Sequence, residues 1–242
     1  MPTLLLKLSG PLQSWGTQSR YRRRETDSMP SKSGVIGLLA AALGRARTES
    51  VDDLSSLGFA VRIDAPGQMV RDYQTAKDWA RKPNDDAKLS TRYYLSDAVF
   101  LVALESDDRA FLERLESALR APVYPLYLGR RSCPAGYDMV PGKESAIREY
   151  SAVDALRHEP WNVAERIRQQ SPNPVQLPIV RESASGEDGL LVNDVPVSFS
   201  PEHRQYLSRK VLTDSVPVTV ENPDSQVRSF DTVDFMSFVQ EA

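Results

Sequence analysis

A glycine followed by two arginines is the first group of residues whose chemistry could serve a binding site. Arg130 and Arg131 lie between Gly129 and Ser132. A tight turn of this kind can present backbone N–H groups together with two guanidinium groups, and both kinds of donor bind phosphate oxygens. The alternative interpretation is a hairpin turn with exposed arginines.

A second candidate anion site precedes an apolar run. Ser31, Lys32 and Ser33 lead into residues 35–43, which Gly44 closes, and this pattern predicts a buried helix with Ser31 or Ser33 as its N-cap. The free N–H groups of such a helix start, together with Lys32, could bind a phosphate. The upstream glycine of a phosphate-loop motif is missing, so nucleotide hydrolysis is not predicted. An ordinary capped helix is the alternative.

Trp15 lies beside Gln13 and Ser14 in a loop with a glycine at each end. An indole ring can stack on a base while its amide and hydroxyl neighbours bind a nucleic-acid backbone. The alternative is a tryptophan that fills the core beneath the loop, which is the commoner environment for this residue.

Residues 67–94 mix basic and acidic side chains without sustained periodicity and are predicted to form a protruding, partly flexible insertion. Within it, Arg71, Tyr73 and Thr75 combine a guanidinium group, an aromatic face and a hydroxyl, with a polar strand edge as the alternative. Arg92, in the same insertion, and Arg24, in the basic stretch before the predicted helix, are further candidates for phosphate contacts.

The charge is uneven along the 242 residues. Residues 1–47 contain eight Lys/Arg and two Asp/Glu and sum to +6, whereas the whole chain has a net charge of −3, so the remaining 195 residues sum to −9. This asymmetry indicates a basic patch on an acidic body. Arginines that are merely solvated would give the same count.

The composition excludes several classes of protein. The chain is 40% hydrophobic and 26% charged, and no apolar run approaches the roughly 20 residues that cross a bilayer. One cysteine and two histidines leave no intramolecular disulfide framework and no Cys-rich zinc site. We therefore expect a cytoplasmic protein without metal or cofactor, and no residue pattern predicts a hydrolytic site.

The predicted elements alternate between strands and helices. Strands are expected at residues 3–8, 59–63 and 98–104, and residues 124–134 are expected to form a strand that ends in a Gly-Arg-Arg turn. The buried helix follows the first strand, and an amphipathic helix follows the third. This order fits an α+β, ferredoxin-like sheet with helices on one face, as in RNA-recognition motifs. After residue 150 the signal is weaker, with short strands at 195–199 and 216–220.

Several of these motifs, in their order along residues 4–134, resemble the CasD family, whose members belong to the type I-E CRISPR Cascade complex. The motifs are Gly10-Pro-Leu-Gln-Ser-Trp-Gly16, Arg24-Glu-Thr26, Pro30-Ser-Lys-Ser-Gly34 with the apolar run to Gly44, Arg71-Asp-Tyr-Gln-Thr75, and Tyr127-Leu-Gly-Arg-Arg-Ser-Cys-Pro134. One motif departs from the family pattern. The family usually has arginine–proline–threonine at this position, whereas this chain has Glu25 in place of the proline.

The resemblance implies a palm, a thumb and a non-catalytic RNA-binding role. The ferredoxin-like palm would comprise residues 1–66 and 95–150, the inserted thumb residues 67–94, and a β-rich C-terminal part of the palm residues 151–242. The chain would hold the 5′ handle of the CRISPR RNA, contact the backbone and large subunits, and meet target DNA only indirectly through the complex. The implied RNA-binding residues are Gln13, Ser14, Trp15, Arg24, Ser31, Lys32, Ser33, Arg71, Tyr73, Thr75, Arg92, Arg130, Arg131 and Ser132.

Two other functions remain open at this point. The first is a metal-independent endoribonuclease that cuts CRISPR repeat RNA, as relatives in type I-C systems do, because tyrosines and lysines that could act as general acid or base are plentiful. The second is a scaffold protein without RNA contact.

Overall fold

The computed structural model describes residues 1–16, 23–77, 79–81, 86–142 and 144–227. The helices are α1 (Lys32–Ala42), α2 (Asp52–Ser55), α3 (Arg109–Arg120), α4 (Ala152–His158) and α5 (Glu165–Gln170). The strands are β1 (Thr3–Ser9), β2 (Leu12–Gln13), β3 (Arg23–Arg24), β4 (Gly58–Ala65), β5 (Gln68–Ala76), β6 (Lys88–Ser96), β7 (Val99–Glu105), β8 (Ile147–Arg148), β9 (Val175–Leu177), β10 (Ile179–Glu182), β11 (Leu190–Ser198), β12 (Gln205–Thr213) and β13 (Val218–Val220).

Seven of these strands form one antiparallel sheet in the order β11-β12-β10-β4-β7-β1-β8. Strand β7, which lies between β4 and β1, is a continuous apolar run, and six of its seven residues are buried. The C-terminal part of the chain adds β10, β12 and β11 to the same sheet, beside β4. Residues 228–242 lie outside the described part of the chain.

Helices cover both faces of this sheet. Leu4, Leu6 and Leu8 alternate along β1 and pack in one cluster with residues of α1 and α3, because successive strand residues point to opposite faces. Leu5 points to the other face, where it packs with Ala155 of α4. The two predicted helices, α1 and α3, thus lie on one face as expected, and α4, which has no clear signal in the sequence, covers the other face.

A smaller sheet projects from the end of the large one. β5 and β6 form an antiparallel hairpin with an unbroken register from Gln68–Ser96 to Ala76–Lys88. The other edge of β6 pairs with β2 and, in parallel, with β3. The predicted insertion at 67–94 thus contains a regular hairpin, and β6 continues past residue 94 to the buried Leu95. Residues 78 and 82–85 lie outside the described residues.

Most of the elements predicted between residues 3 and 120 are confirmed, including the Ser31 N-cap of α1. Ser31 accepts a hydrogen bond from the Gly34 N–H, and Asp108 accepts one from Phe111. The Gly-Arg-Arg turn predicted within residues 124–134 is present, since the Cys133 N–H donates to the Arg130 carbonyl. The strand predicted before it is wrong, because only a single bridge forms there, between Tyr127 and Pro134. Within the described ranges, no helix has the length and apolar character that crossing a membrane requires.

Candidate nucleic-acid interface

The Gly129 turn is fixed in place by the loop that follows β1. Gly129 has a φ of +88°, and a Cβ atom at this position would lie 1.8 Å from the Ser14 carbonyl oxygen. The Ser14 N–H donates to the Leu128 carbonyl at 3.0 Å. Since only glycine fits so close an approach, the turn places Arg130 and Arg131 at a defined position beside the small sheet.

Arg130 joins the turn to two strands of the small sheet. One guanidinium nitrogen donates to the Tyr93 carbonyl at 3.0 Å, and the other donates to the carbonyls of Arg24 and Glu25 at 2.8 and 3.1 Å. The guanidinium carbon lies 4.9 Å from the centre of the Tyr94 ring. Arg130 is thus half-buried and links the turn to the small sheet through its hydrogen bonds. Of the two arginines in the turn, only Arg131 is exposed.

Strand pairing brings two more arginines to the same place. Arg24 of β3 lies beside Arg92 of β6 in the parallel register, so both side chains are on one face of the small sheet. Tyr94 follows Arg92 by two residues and shares that face. We call Arg24, Arg92, Tyr94, Arg130 and Arg131 the arginine cluster. Its members come from three separate segments of the chain.

The Tyr94 hydroxyl lies in a positively charged environment. Burial raises the pKa of this hydroxyl, but hydrogen bonds from Ser132 and from two arginines of the cluster lower the pKa by more, so the net shift is downward from 10.0. The hydroxyl lies 3.4 Å from the Ser132 Oγ. An environment that favours a phenolate also favours the negative charge of a phosphate group.

The guanidinium group of Arg92 has polar neighbours on β5, whereas those of Arg24 and Arg131 are open to solvent. Gln74 accepts from Arg92 at 2.8 Å when its amide oxygen faces the guanidinium group, and Asp72 stands opposite Arg92 in the register. Arg24 and Arg131 are both exposed, and neither guanidinium group has a hydrogen bond or ion pair to any residue within the described ranges. They are therefore the two cations of the arginine cluster that are most available to an anionic ligand.

Three predicted contact residues are buried instead. Gln13, Ser14 and Trp15 are at most 3% exposed. Gln13 donates to the carbonyls of Leu8 and Ala98 and accepts from the Trp15 indole at 3.0 Å. The prediction that these side chains contact RNA is wrong for this structure, because their polar atoms are used inside the core. They support the Gly129 turn from below.

The predicted phosphate site at the start of α1 is filled by the chain itself. The Lys32 N–H donates to Asp194 Oδ2 at 2.7 Å, and the Lys32 ammonium group pairs with Glu182 at 2.9 Å. Asp194 also binds Arg209 through both carboxylate oxygens. Ser31 and Lys32 are buried. The predicted phosphate contact is therefore wrong for this structure, because an internal ion-pair network occupies the start of α1. Ser33 is half-buried and lies 3.4 Å from the Ser31 hydroxyl.

The remaining predicted residues lie on the other face of the hairpin. Arg71, Tyr73 and Thr75 alternate along β5 and are exposed, and their cross-strand neighbours are Tyr93, Thr91 and Leu89. Arg92 and Tyr94 point to the opposite side. The structure therefore separates these three residues from the arginine cluster, and their contact with RNA stays a prediction.

Sequence reasoning missed Tyr94, Asp194 and Arg209. The two-residue spacing of Arg92 and Tyr94 on a strand was the available signal for Tyr94. Asp194 is 162 residues from Lys32, and no local pattern could have paired them. Among the described residues, no three His, Cys, Asp or Glu side chains are grouped as metal ligands would be.

Comparison with known proteins gives consistent matches. The family model described as "CRISPR-associated protein (Cas_Cas5)" matches residues 3–212. The "CRISPR system Cascade subunit CasD" of Escherichia coli (strain K12) is 37% identical over 174 residues, which are 65% of this chain and 77% of that protein.

Two solved structures are also similar. One, described as "Crystal structure of Cas protein", is 39% identical with a TM-score of 0.66, covering 91% of this chain and 99% of that one. The other, a chain of a "CRISPR RNA-guided surveillance complex", is 30% identical with a TM-score of 0.74, covering 95% of each chain. From the matched family model and these relatives, the chain belongs to the Cas5 family of CRISPR-associated proteins, in which it is a member of the CasD family.

Proposed function

We propose that this chain is an RNA-binding subunit of a type I-E CRISPR RNA-guided surveillance complex, in which it holds the 5′ handle of the guide RNA. The observation that carries the proposal is the arginine cluster, where Arg92 and Arg130 lie beside Tyr94. Arg24 neighbours Arg92 in the strand register, and Arg131 follows Arg130 in the turn. Phosphate contacts from such groups position an RNA backbone, while aromatic faces and hydroxyls bind unpaired bases.

We further infer that the core of the chain is ferredoxin-like. The chain order β1-α1-β4-β7-α3-β8 and the sheet order β4-β7-β1-β8 support this assignment. The β5–β6 hairpin is then the thumb, inserted between the second and third strands of the core, and β10 to β12 extend the palm. From membership of the CasD family, we also propose a position at one end of the backbone-subunit stack, next to the large subunit.

Binding of handle RNA tests the proposal. The full chain is titrated into a labelled handle RNA and into an RNA of the same length and composition with shuffled sequence. We expect tighter binding of the handle, because a few base contacts add to the phosphate contacts. Equal affinity for both RNAs would leave only electrostatic binding and would contradict a handle-specific role.

The proposal includes the absence of catalysis. The repeat-cutting alternative predicts that purified chain cleaves repeat RNA in EDTA, whereas our proposal predicts intact RNA after prolonged incubation at stoichiometric protein. A catalytic tyrosine or lysine would reveal itself by a product that disappears in the matching Phe or Met variant.

A further inference from the structure

The β5–β6 hairpin has an exposed apolar surface on the side away from the arginine cluster. Met69, Tyr73 and Leu89 are 60%, 58% and 50% exposed. Alternation along β5 and β6 puts all three on one face, together with Arg71, Thr75 and Thr91. We call these six residues the outer hairpin face. Apolar side chains gathered on one exposed face indicate an interaction site more often than scattered ones do.

The same hairpin presents a free strand edge. β5 pairs only with β6 among the described strands, and its nine residues contain no proline and no register shift. β11, the edge strand of the large sheet, is different: it contains Pro196, and its register with β12 shifts twice. Prolines and bulges protect strand edges against pairing with other chains. Within the described ranges, the edge at β11 is thus protected, whereas no strand pairs with the outer edge of β5.

The charge on the outer hairpin face distinguishes between classes of partner. Arg71 is the one charged residue of this face, and its side chain has no ion pair or hydrogen bond to any residue in the described part of the chain. RNA is bound through several phosphates, which require several cations, as the arginine cluster provides. A face with one arginine, two aliphatic side chains and an aromatic ring fits a protein surface with a complementary carboxylate.

We propose that the outer hairpin face and the β5 edge dock an extended segment of another protein subunit. The segment pairs with β5 as an added strand, places apolar side chains against Met69 and Tyr73, and brings an Asp or Glu to Arg71. RNA and protein are thereby bound on opposite faces of one hairpin. That the partner is a subunit of the same complex rests on the proposed function. The docking itself does not depend on binding of the handle RNA.

Cross-linking from Tyr73 tests which class of molecule lies there. Tyr73 is replaced by p-benzoylphenylalanine, the chain is co-expressed with the guide RNA and the other subunits of its complex, and the purified complex is irradiated. We expect a cross-linked product that survives nuclease and disappears with protease. A product that nuclease removes would assign this face to RNA, and the absence of any product from the intact complex would also overturn the proposal.

A charge reversal with a matched control gives an independent test. Arg71→Glu should reduce retention of the other subunits at least about tenfold, because an interface arginine is replaced by a repelling carboxylate. Arg47→Glu makes the same charge change at an exposed residue outside the hairpin, and this variant should retain the other subunits within about twofold. Equal retention by both variants would contradict the docking site.

Two further readouts separate this inference from the proposed function. The free Arg71→Glu chain should bind handle RNA within about twofold of wild type, because the arginine cluster is intact. Amide exchange of residues 69–75 should slow when the wild-type chain enters the complex, since an added strand occupies the free edge of β5. If exchange at β5 is unchanged while the chain is fully assembled, no strand is added and the proposal is wrong.

Discussion

The guanidinium group of Arg130 lies over the ring of Tyr94, with 4.9 Å from the guanidinium carbon to the ring centre. The same guanidinium group donates to backbone carbonyls of both β3 and β6. Arg130 therefore acts first as a connector, which holds the Gly129 turn against the small sheet. The exposed Arg131 and Arg24 are positioned by that connection.

Gly129→Ala should unfold more easily and bind RNA more weakly. Its Cβ would meet the Ser14 carbonyl oxygen at 1.8 Å in a left-handed conformation, so the turn has to move. Gly186→Ala is the matched control, because Gly186 has a φ of +90° with no heavy atom within 4 Å of the added Cβ. Urea unfolding should give a loss of about 1 kcal/mol for Gly186→Ala and at least about 3 kcal/mol for Gly129→Ala. Equal losses would show that the turn is not constrained by Ser14.

Asp194→Asn should destabilise the fold without weakening RNA binding. The substitution removes the buried carboxylate that binds Arg209 through both oxygens, and Arg209 keeps only a longer ion pair to Glu182 at 3.6 Å. Breaking such a largely buried pair costs about 3 kcal/mol. Asp188→Asn, at an exposed residue nearby in the chain, should stay within about 0.5 kcal/mol of wild type. Under conditions in which it is fully folded, the Asp194→Asn variant should bind handle RNA with the same affinity as the wild type. Tighter binding would instead mean that Asp194 competes with phosphate for the start of α1.

Comparing these two sites shows what the sequence could and could not predict. The Ser31 cap, α1 and the buried strand β7 follow from local patterns, and all three are present. The occupant of the α1 start is Asp194, which reaches it only through pairing of β11 and β12 at the far end of the sheet. The sequence predicts RNA contacts for both Arg71 and Arg92, yet the hairpin register places their side chains on opposite faces. Contacts between distant segments, rather than element types, are what the local patterns leave open.

Acid should weaken the fold through Glu116. Burial raises the pKa of Glu116, but hydrogen bonds from Arg120, the Ala146 N–H and Ser145 lower it by more, so its folded-state pKa lies below 4.5. A lowered carboxylate pKa adds stability above the unfolded-state pKa, and this contribution is lost as the pH falls through the folded-state value. Glu116→Gln should therefore be less stable than wild type at pH 7, and the gap should narrow toward pH 3.

The exposed Glu113, in the same helix, supplies the control for this pH dependence. Glu113→Gln should unfold at nearly the wild-type urea concentration at both pH values, since exposed i,i+4 pairs contribute little. A gap between wild type and Glu116→Gln that stays constant from pH 7 to pH 3 would contradict the assigned role of Glu116.

The salt dependence of handle binding tests the central claim most directly. Arg24, Arg92 and Arg131 are replaced together by alanine, and the control replaces Arg47, Arg114 and Arg204, three exposed arginines outside the arginine cluster. Each phosphate contact contributes about 0.7 to the slope of log K against log salt for a single strand. We predict that the cluster variant lowers the slope by about 2 and that the control variant leaves it within about 0.5 of wild type. An unchanged slope in the cluster variant, or an equal loss in both variants, would contradict the assignment of RNA binding to the arginine cluster.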